Sequence, residues 1–218
     1  MKIHIGCGNT ILPGFINIDN SPTALLSKLP MPMLSLFRKL SLINSDQAHF
    51  ARTLKDRKSE FLYSSCYKLP FKDNSVDFVY SSHMLGWCLG REQLHRFLQE
   101  LSRVMRAGGG ARLSFFDLDK VLSDYQQHRD TIRLMEQLPL GADELSFRDK
   151  LKLLLSPNMQ NGIPLNAETF SGYLQEHGFR DILTLEAGAT TMEPPWVEGV
   201  NLSEREGGSI YMECRKEG

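Results

Sequence analysis

Short apolar runs bounded by turn residues recur along the 218-residue chain, at Ile3 to Ile5, Phe15 to Ile18, Phe61 to Ser64, Val76 to Tyr80 and Arg112 to Phe116. They alternate only in part, which is how buried parallel strands read, because both of their faces meet apolar neighbours. Between the last two runs, Leu94, Phe97, Leu98, Leu101, Val104 and Met105 recur at spacings of three and four, while Glu92, Arg96, Gln99 and Arg103 fall elsewhere. That pattern predicts an amphipathic helix, which Gly108-Gly109-Gly110 is expected to stop. A strand, a helix and a strand at this spacing form a parallel crossover, and crossovers within one sheet are right-handed.

Beyond the fifth run, Asp119 is placed to cap a helix whose inner face is Val121, Leu122, Tyr125, Ile132 and Met135, followed by a looser stretch from Gly141 to Asn161. Asn166 is placed to cap another, with Phe170, Tyr173 and Leu174 inward and Gly178 as its stop. From Ser209 to Arg215 the chain alternates Ile210, Met212 and Cys214 with Tyr211, Glu213 and Arg215, which reads as a half-exposed or edge strand pairing with Asp181 to Glu186. The stretch Leu25 to Ile43 stands apart. Pro30 and Pro32 break any helix there, and Met33, Leu36, Phe37 and Leu40 then form an apolar stripe opposite Arg38 and Lys39. A helix covering a ligand pocket fits that pattern best; a closing lid, or a membrane-surface or dimer contact, are the alternatives. The expected organisation is a single domain over 1–218 with helical insertions near 21–60 and 119–165.

Composition narrows the classes. A hydrophobic content of 41% over this length supports one sizeable core, and a net charge of −1 supplies no field for a polyanion, so no nucleic-acid partner is expected. The four cysteines, Cys7, Cys66, Cys88 and Cys214, form no CxxC pair and no histidine stands at zinc spacing, so reduced thiols and no metal site are expected. No apolar run is long enough to predict a membrane span. The opening residues read directly as a strand, without a signal peptide, which makes a cytoplasmic setting the default expectation.

Chemistry concentrates in the first nineteen residues, where Gly6-Cys7-Gly8 follows one apolar strand and Asp19 ends the next. Glycines let the backbone approach a ligand where a side chain would block it, and a carboxylate at a strand end can accept both hydroxyl protons of a ribose. A dinucleotide site would need a third glycine, a phosphate-binding helix and an acid roughly 20 residues on. Gly8 and Asp19 stand too close for a full helix between them, so no helix N-terminus is available for a pyrophosphate.

Four blocks then carry a family resemblance: Ile5-Gly6-Cys7-Gly8 with Gly14-Phe15-Ile16-Asn17-Ile18-Asp19; Leu69-Pro70-Phe71 through Asp77 to Ser81-Ser82-His83-Met84-Leu85; Glu100 to Gly110; and Leu113 to Asp119. In these blocks and their order the chain resembles the class I methyltransferases that depend on S-adenosylmethionine (SAM). The resemblance implies a Rossmann-like, doubly wound α/β fold, a mostly parallel seven-stranded sheet with an antiparallel last strand. It implies SAM as cofactor and S-adenosylhomocysteine as product. It also implies that Gly6, Cys7 and Gly8 line the methionine portion, that Asp19 holds the ribose, and that Ser65, Cys66 and Ser81 complete the cofactor site. Ser65 replaces an aspartate that many members carry four residues before the LPF block, and a hydroxyl accepts a hydrogen bond more weakly than a carboxylate.

His83, just past the fourth strand, is the candidate general base for an acceptor hydroxyl or amine, with pocket shaping as the alternative role. Trp87 suggests an apolar or planar acceptor, or packing. Asp117 either contacts the acceptor or starts a helix. Trp196 is a weaker acceptor-site candidate that fits packing onto the sheet better, and His4 reads as a core histidine. No [DN]PP[YF] segment follows the fourth strand, and no proline precedes Cys88. Methylation of adenine, glutamine or cytosine C5 is thereby disfavoured. The expected function is in-line methyl transfer to a small-molecule, sugar or peptide oxygen or nitrogen. A SAM-fold enzyme of another outcome, and a degenerate binding or scaffold subunit, are the competing readings.

Overall fold

A computed structural model describes residues 1–56, 60–85, 90–133 and 165–218. Its centre is a seven-stranded sheet in the order β3-β2-β1-β4-β5-β7-β6. The strands are β1 (Lys2–Ile5), β2 (Ile16–Asp19), β3 (Phe61–Tyr63), β4 (Val76–Ser82), β5 (Met105–Phe116), β6 (Phe179–Leu185) and β7 (Ser209–Lys216). The first five run parallel and β7 pairs antiparallel with both β5 and β6. The expected doubly wound sheet with an antiparallel last strand is therefore the one observed.

Strand alternation sends one set of side chains to each face of the sheet. Ile3, Ile5, Val79, Leu113 and Met212 join the helical layer, α4 (Arg91–Val104) and α6 (Ala167–Glu176), through Leu94, Phe97, Leu101, Phe170 and Leu174. On the opposite face Phe78 and Tyr80 pack with Leu12, Phe15 and Met192, and with Trp196 of the short α7 (Pro194–Val197). Trp196 stacks on Phe78 with centroids 5.7 Å apart, so it packs onto the sheet. His4 is buried on that face as well, with Nδ1 3.1 Å from the Asn17 side-chain oxygen.

Several expectations are corrected. Helix α4 ends at Val104, and the triple glycine lies inside β5, which starts at Met105. A Cβ on Gly110 would stand 2.5 Å from the Trp196 ring and 2.6 Å from the Met192 sulfur, so glycine there admits the packing of α7. Strand β7 is interior, with a buried centre; β6 holds the edge. Asp117, not Asp119, caps α5 (Leu118–His128), accepting from the Lys120 N–H at 3.1 Å. Val121 of that helix is buried, but Leu122 and Ile132 are exposed. Asn166 caps α6 as expected, accepting from the Thr169 N–H at 3.0 Å.

Between β2 and β3 lie α1 (Pro22–Leu25), a 3-10 turn (Leu26–Lys28), α2 (Met31–Lys39) and α3 (Ser45–Asp56). Here the apolar stripe of α2 is displaced from its expected place. Leu34 is buried with Ile43, Ala48 and Ala51, and Phe37 packs against them, while Met33, Leu36 and Leu40 are exposed. Trp87, Cys88, Met135 and the Gly141 to Asn161 stretch lie outside the described residues.

Candidate functional site

The strand order reverses between β1 and β4, and ligands of open α/β sheets bind beyond the carboxyl ends of the strands at such a switch point. Three sequence-predicted groups meet at that edge: the Gly6-Cys7-Gly8 turn after β1, Asp19 at the end of β2, and Ser81 to His83 at the end of β4.

The turn needs its glycines. Gly6 and Gly8 have φ of +69° and +47°, in the left-handed region that a Cβ disfavours. A Cβ on Gly6 would also fall 2.8 Å from the Met84 sulfur, whereas one on Gly8 would meet nothing within 4 Å. Met84 thus lies against Gly6, and Gly8 fronts open space. The turn's three N–H groups all point inward: those of Gly6 and Cys7 donate to the Ile18 carbonyl at 2.8 and 3.1 Å, and that of Gly8 to Asp19 Oδ2 at 3.0 Å. A turn wired this way presents no row of amides to a diphosphate. Cys7 is buried, and burial pushes its thiol well above the ordinary range, so it acts in the turn and not as a nucleophile.

Asp19 is fixed from both sides. Its Oδ1 accepts from the Ser21 N–H at 2.7 Å while Oδ2 holds Gly8, and each carboxylate oxygen keeps lone-pair capacity for a further donor. The Ser64 N–H donates to the Asp19 carbonyl at 3.3 Å, which brings the Ser65-Cys66 loop beside the acid. Ser65 Oγ accepts from the Tyr67 N–H at 3.2 Å and Cys66 is buried. Helix α4 anchors this loop: Glu100 Oε1 accepts from the Leu69 N–H at 2.5 Å, and Arg103 joins Glu100 and Asp73 to the Leu69 and Phe71 carbonyls. The Arg103 guanidinium holds the Glu100 carboxyl below its usual range. Ser81 is fully buried, and its hydroxyl has no hydrogen-bond partner among the described residues. An unsatisfied buried hydroxyl is costly, and at a ligand edge it is a polar contact in waiting.

His83 has φ of +55°, a conformation uncommon for a side-chain-bearing residue, and its N–H donates to the Ser114 carbonyl at 2.7 Å. Its Nε2 lies 2.9 Å from Ser209 Oγ. That hydroxyl also lies 2.8 Å from the Arg205 carbonyl, which has no proton to give, so Ser209 donates there and accepts from His83 Nε2–H. The arrangement leaves Nδ1 as the basic nitrogen. Burial, with the nearby Arg205 charge, lowers the His83 pKa and favours the neutral ring. Met84 and Ser209 carry no local signal in the sequence. Ser209 reaches the edge because β7 runs antiparallel, setting its first residue opposite Phe116, the last of β5. Asp117, by contrast, is occupied as a helix cap.

Comparison with known proteins agrees with this architecture. A family described as "Methyltransferase domain" matches residues 40–113, about a third of the chain, beginning after the glycine turn. The biotin biosynthesis bifunctional protein BioHC of Cellvibrio japonicus is 38% identical over 65 residues, which is 30% of this chain but only 12% of that protein's length. A SAM-dependent methyltransferase from Methanosarcina mazei superposes with a TM-score of 0.53 at 15% identity, over 99% of this chain and 92% of that one. One from Archaeoglobus fulgidus gives 0.50 at 14%, over 99% and 85%. Human N-acetylserotonin methyltransferase, solved in complex with SAM, gives 0.50 at 13%, over 100% of this chain and 47% of that one. At these identities the likeness is one of fold, and it coincides with the matched segment and the observed sheet order. Residues 40–113 thus match a methyltransferase domain, and the sheet order is that of the class I SAM-dependent methyltransferase fold.

Proposed function

We propose that this chain transfers a methyl group from SAM to an oxygen or nitrogen of a small-molecule, sugar or peptide acceptor. Gly6, Cys7, Gly8, Asp19, Ser65, Cys66 and Ser81 hold the cofactor, and His83 takes the acceptor's proton. The observation that carries this reading is the doubly anchored Asp19 carboxylate facing the open side of Gly8, across a turn whose amides are already spent. An adenosyl ligand without a diphosphate suits that corner: ribose hydroxyls have an acceptor, and no phosphate cradle is required.

When bound, SAM supplies an activated methyl on a sulfonium sulfur, which keeps the bonding electron pair and leaves as a thioether. The protein's work is then alignment, exclusion of water and removal of one proton. Asp19 and the glycine turn fix the donor's position, and Met84 against Gly6 covers the turn with an apolar side chain. His83 Nδ1 accepts the acceptor's proton as the lone pair on that oxygen or nitrogen forms the new bond to carbon.

The test is calorimetric titration of the protein with SAM and S-adenosylhomocysteine, with NAD as control, on wild type and on Asp19→Ala. Loss of a hydrogen bond to a charged group costs roughly 1.5–3 kcal/mol, so the variant should bind about 10- to 150-fold more weakly with the fold intact. Unchanged affinity removes Asp19 from the site. Tight binding with no methylated product in an acceptor screen by mass spectrometry moves the non-methylating reading forward; no binding of either adenosyl ligand moves the scaffold reading forward.

A further inference from the structure

Away from the residues assigned to the cofactor, the packing of α4 against α6 brings together His95, Glu176 and His177, whose ligating atoms all lie within 4.8 Å of one another. We propose that these three side chains form a binding site for a divalent transition metal of the zinc class, which ties the C-terminal end of α6 to α4. The sequence shows no zinc spacing because the first ligand stands some eighty residues before the other two, and only the helix packing unites them.

The nitrogen geometry carries the proposal. His95 Nδ1 and His177 Nε2 face each other at 3.4 Å. Two imidazole nitrogens bound to one zinc ion at about 2.1 Å and a tetrahedral angle stand roughly 3.4 Å apart. As a direct N–H···N hydrogen bond the same separation is long, beyond the usual range of about 2.7–3.2 Å given for N–H donors.

The tautomer agrees. His177 Nδ1 lies 2.8 Å from the Tyr173 carbonyl and must donate to it, so the Nε2 turned toward His95 carries a lone pair. A metal-ligating histidine whose other ring nitrogen is fixed by a backbone carbonyl is the usual supporting arrangement. The His95 ring is in turn held edge-on against Tyr173, with centroids 5.0 Å apart. Glu176 is exposed and free to rotate its carboxylate onto the third position, leaving the fourth to water. Two imidazoles and a carboxylate select zinc, copper, nickel or cobalt over magnesium and calcium, which prefer all-oxygen sets.

The experiment uses the full chain without an affinity tag, stripped with chelator, and titrated with zinc chloride by calorimetry and with cobalt chloride by visible absorption. One equivalent of zinc should bind at micromolar Kd or tighter, and cobalt should give the intense visible bands of a tetrahedral centre. At a zinc excess of about 100 Kd the thermal midpoint should rise by roughly 5–10 °C. His95→Gln and His177→Gln should each abolish stoichiometric binding, Glu176→Gln should weaken it at least tenfold, and millimolar magnesium should not compete. Because a histidine variant could misfold, a second readout uses wild type alone: zinc should protect His177 from diethyl pyrocarbonate. Zinc binding that is equal in wild type and His95→Gln, no binding in wild type, or unchanged carbethoxylation of His177 would each overturn the proposal.

Discussion

Replacement of Glu213 by glutamine tests how the segment between β6 and β7 is held to the sheet. Glu213 on β7 stands opposite Arg112 on β5, both fully buried, with Arg112 Nη1 2.6 Å from Glu213 Oε1. The carboxylate also accepts from Thr190 Oγ1 at 2.7 Å, the Thr191 N–H at 2.7 Å and Thr191 Oγ1 at 2.8 Å, and Arg112 donates to the Ala189 and Leu202 carbonyls, each at 2.9 Å. Burial alone would raise the Glu213 pKa, but the bonds from Thr190, Thr191 and Arg112 hold it below the ordinary range. Glutamine keeps the shape and part of the hydrogen bonding yet leaves the Arg112 charge uncompensated, a loss of about 3–5 kcal/mol for a broken buried pair. For a chain of this size that is a fall of roughly 6–20 °C in thermal midpoint. Urea unfolding followed by far-ultraviolet circular dichroism measures it at neutral pH. The folded-state pKa is depressed, so the pair's stabilisation is present above the unfolded carboxylate value near about 4.3 and is lost as pH falls through the lower folded value; Glu213→Gln should flatten that acid limb. Arg112→Met combined with Glu213→Leu should cost less than the sum of the two single losses, since neither charge then stands alone. A Glu213→Gln variant within about 0.5 kcal/mol of wild type, the range of an ordinary surface change, would refute the reasoning.

Four further outcomes are expected. Gly110→Ala should destabilise by about 1–3 kcal/mol, because its Cβ enters the Trp196 ring and the Met192 sulfur, and equilibrium unfolding unchanged from wild type would contradict that packing. Burial lowers His4 to about 4, so unfolded chains take up a proton from about pH 6.5 downward while folded ones do not. Stability should therefore drop by roughly 2–3 kcal/mol from this group between about pH 7 and pH 4.5, a drop that His4→Gln should lack in urea titrations at the two pH values. If His83 is the base, turnover should fall on the acid side through a value below about 6.5, and His83→Ala should lose turnover while keeping SAM affinity. Ser209→Ala should lower kcat by about 2- to 12-fold and move that acid limb without changing KM for SAM; an unmoved pH profile would reduce Ser209 to a strand-end residue.

The parts of the fold that were legible in the sequence are those whose causes are local. The glycine turn, the acid eleven residues after Gly8, the α4 stripe and the Asn166 cap each rest on neighbours within one element or one loop. The misread parts depend on distant partners. The triple glycine looked like a helix stop, but Gly110 is glycine because Trp196 and Met192 settle on it. Polar residues alternating along β7 looked solvent-facing, but Glu213 points at Arg112, and a charge paired with a buried arginine reads the same as an exposed one. In α2 the stripe chosen by hydrophobicity alone was Met33, Leu36, Phe37 and Leu40, whereas packing against α3 keeps only Phe37 of these and buries Leu34 beside it.

The same non-locality reaches the candidate site through the last strand. A parallel β7 would have presented its C-terminal end to the ligand edge and its start to the opposite one. Because it runs antiparallel between β5 and β6, Ser209 arrives at the edge where β4 delivers His83, and the residues between β6 and β7 leave from that same edge and cross over the sheet face before returning to it. That crossing segment is held at Ala189 and Leu202 by Arg112 and at Thr190 and Thr191 by Glu213, while Glu204 accepts from Tyr80 Oη at 2.9 Å and gives its carbonyl to Tyr211 Oη at 2.8 Å. Glu204 and Arg205 are also the charges that act on His83, in opposite senses. The buried pair therefore fixes more than stability. By setting where residues 201–208 lie, it sets which nitrogen of His83 is basic and how readily the ring stays neutral, so a variant such as Glu213→Gln should disturb the pH dependence of turnover even at temperatures where the chain remains folded.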